Sequence, residues 1–512
     1  VTSPWRQLHA IGTRLKNTGN LAARQEAWLM NCLHRNSSSE YGQRYNFAEI
    51  ESVAEFRNQV PVISYDDIAP DIRRMYDGEA DVLFSGTPVA FERTGGSTSG
   101  SKLIPYSQNS LEDFQAALLP WLANTIEQFG ITAGTAYFSI SPATRQVEIS
   151  PGGICIGLPD GAYLGDAALE QFSAISSVPA WVGGLAELSQ WQLATLYYLS
   201  TREDLALISV WSPTFFLMLL DALERRSGEI ETLLRDGGRL AGQDLPGNPD
   251  ALARMSRFIV NHRTETLWPN LKLVSCWSDA SSRPFFDQLR QRLPHAAFQG
   301  KGLLSTEGVV SIPNRTGQPL LAMDSGFFEF MDQKDNLHLA VELETGKAYE
   351  TVMTTSGGLY RYRTGDWVTC EGFAKNIPIF RFSGRRGLTC DIVGEKLTEE
   401  FVLSCLEDIP GFRILVPAHD SPPGYALVVD KLDNHEPAAL IRLVEARLSK
   451  NPQYAFARKL GQLDRLLVYT ASQPLEKYVE RFVTAGARIG DVKVTALRPE
   501  TDWLETFSGT AS

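Results

Sequence analysis

Three brief apolar runs, at residues 135–141, 206–210 and 271–277, are each shut off by chain breakers and read as buried strands. Elsewhere the apolar residues recur at helical spacing. Leu21, Trp28, Leu29 and Leu33 share one face of residues 20–35, and Leu111, Phe114, Leu118, Leu122 and Ile126 share one face of residues 110–129. Ser52 and Glu55 stand at capping-box spacing where a further helix begins. Helices are also expected at 214–223 and 285–293, and antiparallel strands within 327–352. Residues 227–250, rich in Gly, Asp and Pro, read as a surface excursion. A chain that mixes these two periodicities is α/β.

At 512 residues the chain exceeds one ordinary core, with about three domain equivalents as the length prior. The pattern changes near Arg385. Beyond it, residues 412–419 and 424–429 form a strand pair across Asp420-Ser421-Pro422-Pro423-Gly424. Helices at 436–448 and 475–485 and strands at 466–469 and 492–497 complete a small α/β unit. The expected boundary is therefore near Arg386: a large domain at residues 1–386 and a small one at 387–512.

Charged residues make up 21% and apolar residues 43% of the chain, a globular balance. The net charge of −12 argues against a nucleic-acid backbone as the main partner, so an anionic substrate would need a locally built positive site. The six cysteines form no CxxC pair and read as reduced thiols of a cytoplasmic protein. Residues 1–20 hold no apolar h-region, and the most apolar run, 210–220, is too short to span a bilayer. No signal peptide and no membrane association are expected, and the chain is expected to be a monomer.

Thr94-Gly95-Gly96-Ser97-Thr98-Ser99-Gly100-Ser101-Lys102 has the composition of a phosphate loop: glycines expose successive N–H groups, hydroxyls donate, and the lysine neutralises. It is not a Walker A loop, because Ser101 separates Gly100 from Lys102. On its own it also reads as a Ser/Gly-rich surface turn. Residues 300–308 (GKGLLSTEG) end in Ser305, Thr306 and Glu307. A Thr-Glu pair at a strand end suits a phosphate oxygen and a hard cation, and it equally suits a helix N-cap. In residues 360–366 (YRYRTGD), Asp366 just past a turn could accept both hydroxyls of a ribose. The alternative is a strand with solvated arginines. Arg385 and Lys493 would not stand out alone.

Taken together and in this order, these pieces resemble the adenylate-forming superfamily. Within it the chain is similar to the Gretchen Hagen 3 auxin-responsive family of acyl acid amido synthetases, in its bacterial form. Residues 39–42 (SEYG), 56–65 (FRNQVPVISY), 102–106 (KLIPY), 300–313 (GKGLLSTEGVVSIP), 451–463 (NPQYAFARKLGQL) and 488–493 (RIGDVK) carry that closer match.

The resemblance implies a large N-terminal adenylate-forming domain with mixed sheets and a small mobile C-terminal α/β domain. It implies that a carboxylic acid attacks the α-phosphate of ATP, and that an amine, typically of an amino acid, then takes the acyl group. By the same resemblance Thr94, Gly96, Ser97, Thr98 and Ser99 bind the ATP phosphates with Lys102 nearby. Ser305 and Thr306 contact the adenylate, and Glu307 holds Mg²⁺. Tyr362 and Asp366 lie at the ribose, Arg385 reaches ribose or phosphate, and Lys493 stabilises charge in adenylation. Trp211, Phe215 and Phe216 resemble the segment near the acyl site, although core packing also accounts for a Phe-rich helix.

Two departures stand out. Gly95 replaces a hydroxyl found in many relatives, and Leu303 stands where the superfamily often stacks a tyrosine on adenine. Gly387 falls where the hinge residue usually lies, and a glycine there makes backbone rotation easy. The seven histidines form no catalytic pattern. Two rival readings share these residues: a ligase that passes the acyl group to coenzyme A or a carrier thiol, and a nucleotide- or acyl-binding protein without turnover.

Overall fold

All three apolar runs pair within one sheet. The computed structural model describes residues 3–15, 19–94, 102–139, 148–158, 160–385, 388–418, 422–430, 436–507 and 510–511. In it Ala297–Gly300, Leu273–Cys276, Leu205–Ser209 and Thr135–Phe138 form a parallel sheet in that spatial order. Leu205–Ser209 and Leu273–Cys276 are buried at every position, as strands covered on both faces must be.

The long helix Gln108–Phe129 follows the expected face, with Leu111, Phe114, Leu122 and Ile126 buried. Ser107 caps it by accepting from the Ser110 amide, and Gly130, at φ +59°, ends it in the left-handed conformation that glycine adopts without strain. A short hairpin, Ala90–Arg93 with Leu103–Tyr106, pairs Arg93 with Leu103. A seven-stranded sheet contains Phe327–Met331, Ala348–Thr354, Tyr362–Ala374 and Ile377–Arg385.

The chain divides into two compact units. One comprises Val1–Val210, Leu223–Cys276 and Pro294–Phe382; the other comprises Trp211–Ala222, Trp277–Leu293 and Ser383–Ser512. In the second unit Arg413–Ala418 and Gly424–Val429 pair antiparallel, and Leu467–Thr470 adds in parallel to the latter. Leu415, Leu427 and Val468 pack there with Leu440, Val444 and Leu448 of the helix Pro437–Leu448.

Residues 227–250 are more regular than their composition suggests. The helix Ser227–Asp236 buries Ile230 and Leu234, and a hairpin, Gly238–Leu240 with Gln243–Leu245, follows. Asn248 then caps the helix Pro249–Asn261. The Gly, Asn and Pro of this stretch are stop and start signals, not loop filler. Residues 492–497 form no strand; one bridge, Leu415 to Leu497, is their link to the sheet.

Candidate functional site

The hairpin positions the first group of residues. The Thr94 amide donates to the Lys102 carbonyl at 2.9 Å, and the Lys102 amide donates to Thr94 Oγ1 at 3.2 Å. These two bonds tie Thr94 to Lys102. Gly96, Ser97, Thr98 and Ser99 lie outside the described residues, as do Arg386 and Gly387. Lys102 Nζ sits 5.2 Å from the centre of the Tyr65 ring and donates to Tyr362 Oη at 3.4 Å. The loop base therefore meets the strand Tyr362–Ala374, 260 residues away in sequence.

Thr306 and Glu307 occupy a tight turn, not a helix N-terminus. The Ser305 amide donates to the Gly308 carbonyl at 3.0 Å, and the Gly308 amide returns to Ser305 at 3.3 Å. Tyr106, at the far end of the strand begun by Leu103, donates its hydroxyl to the Thr306 carbonyl. Glu307 is buried. Thr306, Glu307, Ser325, Thr355 and Asp113 line a small cavity. Burial pushes the Asp113 carboxyl up to about 7, against bonds from Ser356 and Trp28 that act the other way. Every donor in this lining is oxygen, which suits a hard cation such as Mg²⁺ and not a soft one. No group of three or more His, Cys, Asp or Glu placed to hold a metal ion occurs among the described residues. Mg²⁺ needs only one or two carboxylates where phosphates and water complete its shell, so Glu307 fits it.

In residues 360–366 the solvated-arginine reading fails at Arg361. This residue is buried at φ +52°, a conformation that costs a non-glycine residue about 1 kcal/mol or more. Its guanidinium donates to both Glu329 oxygens at 2.7 and 2.9 Å and to the Arg57 and Val60 carbonyls at 2.7 Å each. Arg363 pairs with Glu350 at 2.6 Å. These anchors fix the start of the strand on which Tyr362, Thr364 and Asp366 alternate inward and are all buried. The Asp366 amide donates to Thr364 Oγ1 at 3.0 Å. Opposite them, the pairing shifts register between Glu350 and Val352. Such an irregularity re-aims side chains next to sites.

The second unit holds the remaining candidates. Arg385 ends the strand Ile377–Arg385, and Lys493 follows the short turn Ile489–Asp491. Burial pushes the Glu399 carboxyl up to about 7, while the charges of Arg498, Lys493 and Arg385 act the other way. Trp211 is half-buried with its ring 6.3 Å from that of Trp277, whereas Phe215 and Phe216 are fully buried. Nothing in the sequence marks Asp113, Trp277 or Glu399 as a site residue, although Trp277 closes the apolar run 271–277. Asp113 shows only as an acidic residue beside Phe114 in an apolar helix.

Residues 11–298 match the model of the GH3 family N-terminal domain, and residues 319–385 match that of the GH3 family central domain. The probable indole-3-acetic acid-amido synthetase GH3.1 of Oryza sativa subsp. japonica is 25% identical over 436 residues, covering 75% of this chain and 69% of that protein. Jasmonoyl-L-amino acid synthetase JAR4 of Nicotiana attenuata is 23% identical over 415 residues, covering 73% and 71%. The solved structure of AtGH3.15 acyl acid amido synthetase in complex with 2,4-DB superposes with a TM-score of 0.86 at 20% identity, covering 100% of this chain and 98% of that one. A 2-hydroxyisobutyryl-CoA ligase in the postadenylation state reaches 0.53 at 12% identity, covering 98% and 90%. At these identities the two structures establish the fold.

Proposed function

The chain belongs to the GH3 family, and from that premise we propose that it is an ATP-dependent acyl acid amido synthetase. A carboxylate oxygen attacks the α-phosphorus of ATP, the bond to the β-phosphate breaks, and pyrophosphate leaves. The amine of an amino acid then attacks the acyl carbon of this mixed anhydride, the acyl C–O bond breaks, the nitrogen loses a proton, and AMP departs with that oxygen.

The observation that carries this reading is the convergence of three distant motifs on one short strand. Lys102, just before it, reaches Tyr362; Tyr106, at its end, holds Thr306. Thr94 and the amides and hydroxyls of Gly96, Ser97, Thr98 and Ser99 would bind phosphates, with Lys102 as charge partner. Ser305 and Thr306 would touch the adenylate, Tyr362 and Asp366 the ribose, and Arg385 the ribose or phosphate. Glu307 would hold Mg²⁺, whose chemistry there is charge balance at the α-phosphate. Lys493 would stabilise the charge that develops during adenylation. Trp211 is the acyl-site candidate with exposed surface, while the burial of Phe215 and Phe216 favours packing.

In this reading residues 1–386 bind ATP and the acid, and residues 387–512 form the cap that carries Lys493. A cytoplasmic enzyme is consistent with the free cysteines, the chain is read as a monomer, and no described helix is long and apolar enough to cross a membrane. Pyrophosphate exchange over a panel of aryl, indolyl and alkyl acids tests the first step, and AMP release with amino acids or coenzyme A tests the second. No exchange with any acid would favour a binding-only protein. Release driven by coenzyme A alone would overturn the amide reading.

A further inference from the structure

The backbone around Lys493 is tied down from several sides within its own unit. Tyr478 donates its hydroxyl to the Lys493 carbonyl at 3.1 Å, and Glu399 accepts from the Ala496 amide at 3.3 Å. Leu415 donates to the Ala496 carbonyl at 2.8 Å and accepts from Arg498 at 3.0 Å. These bonds set where the chain passes, yet they leave a four-carbon side chain that is exposed and rich in rotamers. At the end of that side chain, Nζ lies 4.7 Å from the centre of the Trp277 ring. The ring is half-buried and braced: the Trp277 amide donates to the Trp211 carbonyl at 2.8 Å, and the two indoles lie against each other at 35°.

We propose that Trp277 is a positioning residue for Lys493, holding its ammonium over the indole face ready for adenylation. This rests on the reading of Lys493 as the adenylation lysine. Tryptophan offers the best face for a cation, and the contact lies inside the distance at which that attraction operates. A ring differs from a carboxylate in a way that matters here. It narrows the rotamers of the lysine without cancelling its charge, so the full positive charge remains available to an incoming phosphate. The nearby carboxyl, Glu399, is pushed up by burial, against the pull of the Lys493 charge. Pre-arranging a charged group in this way lowers the reorganisation needed when the reaction begins.

The test is pyrophosphate exchange by the full chain carrying Trp277→Leu or Trp277→Phe, each in the native and the Lys493→Ala backgrounds. Trp277→Leu is expected to lower kcat by about 2- to 30-fold, the range of a cation–π contact, with KM for acid and ATP unchanged. Trp277→Phe, which keeps an aromatic face, should recover much of that loss. In the Lys493→Ala background Trp277→Leu should cost nothing more. An equal loss in both backgrounds, or a rise in KM for the acid with kcat intact, overturns the proposal and makes the ring part of the acyl pocket. If the unmodified chain exchanges no acid, the ligase reading itself fails. The contact is then read by competitive acetylation and peptide mass spectrometry. Faster labelling of Lys493 in Trp277→Leu supports the contact, and an unchanged rate refutes it.

Discussion

Replacing Arg361 by methionine tests how the Tyr362–Asp366 strand is held. The guanidinium makes four hydrogen bonds: two to Glu329 and one each to the Arg57 and Val60 carbonyls. Methionine keeps the stem and removes all four. Glu329 is 1% exposed and would keep its 3.0 Å pairing with Arg57, so the charge is left partly, not wholly, uncompensated. Each carbonyl stripped of its donor costs about 1–3 kcal/mol, and breaking a buried pair costs about 3–5 kcal/mol. Two carbonyls together cost about 2–6 kcal/mol and the neighbouring Arg57 moderates the second term, so the expected loss is at least about 4 kcal/mol for this unit. Urea unfolding followed by tryptophan fluorescence measures it. Arg361→Met with Glu329→Met should recover part of the loss, because the second change removes the stranded carboxylate while the two carbonyls stay without their donor. A single-variant loss below about 1 kcal/mol, or no recovery in the double variant, would refute the view that this clamp anchors the strand.

Two further predictions address other parts of the site. Tyr106→Phe removes the donor to the Thr306 carbonyl, a change worth about 1–3 kcal/mol, and should lower the kcat of pyrophosphate exchange about tenfold; an unchanged kcat would show that the turn holds itself. Lys301, which donates to Ser209 at 2.8 Å and lies 4.5 Å from the Trp121 ring, is held by burial at about 7 instead of 10.5. Between those values the unfolded chain binds the extra proton, so native stability rises with pH; below about 7 both states are charged and the full burial cost remains. The stability gain from Lys301→Met should therefore be largest near pH 6 and shrink toward pH 10, roughly. Urea midpoints across that range check it, and a pH-independent difference would contradict it.

Much of the fold was legible because local signals and packing agree. Ser107 and Gly130 bound the helix whose apolar face is readable, and the runs at 206–210 and 271–277 are apolar because strands there are covered on both sides. Residues 227–250 lie largely at the surface, as read, but their regular elements were not legible, since the helix buries only Ile230 and Leu234, too few apolar residues to outweigh the turn formers. At the site, the hydroxyl, carboxylate and lysine motifs could be read as chemistry from their composition. What composition could not supply were contacts between distant segments. Arg361 looks like a surface arginine until Glu329, 32 residues earlier, is found beneath it. Trp277 gains meaning only from Lys493, which local periodicity cannot link to it.

In the proposed reaction the acid is activated by bonding its own oxygen to the α-phosphorus before the amine arrives. An acid labelled with heavy oxygen in its carboxylate, turned over with ATP and an amino acid, tests that bond directly by mass spectrometry of the products. One labelled oxygen is expected in the AMP phosphate and the other in the amide carbonyl. Unlabelled AMP beside labelled amide, or label released in inorganic phosphate with ADP as the nucleotide product, would contradict that reaction.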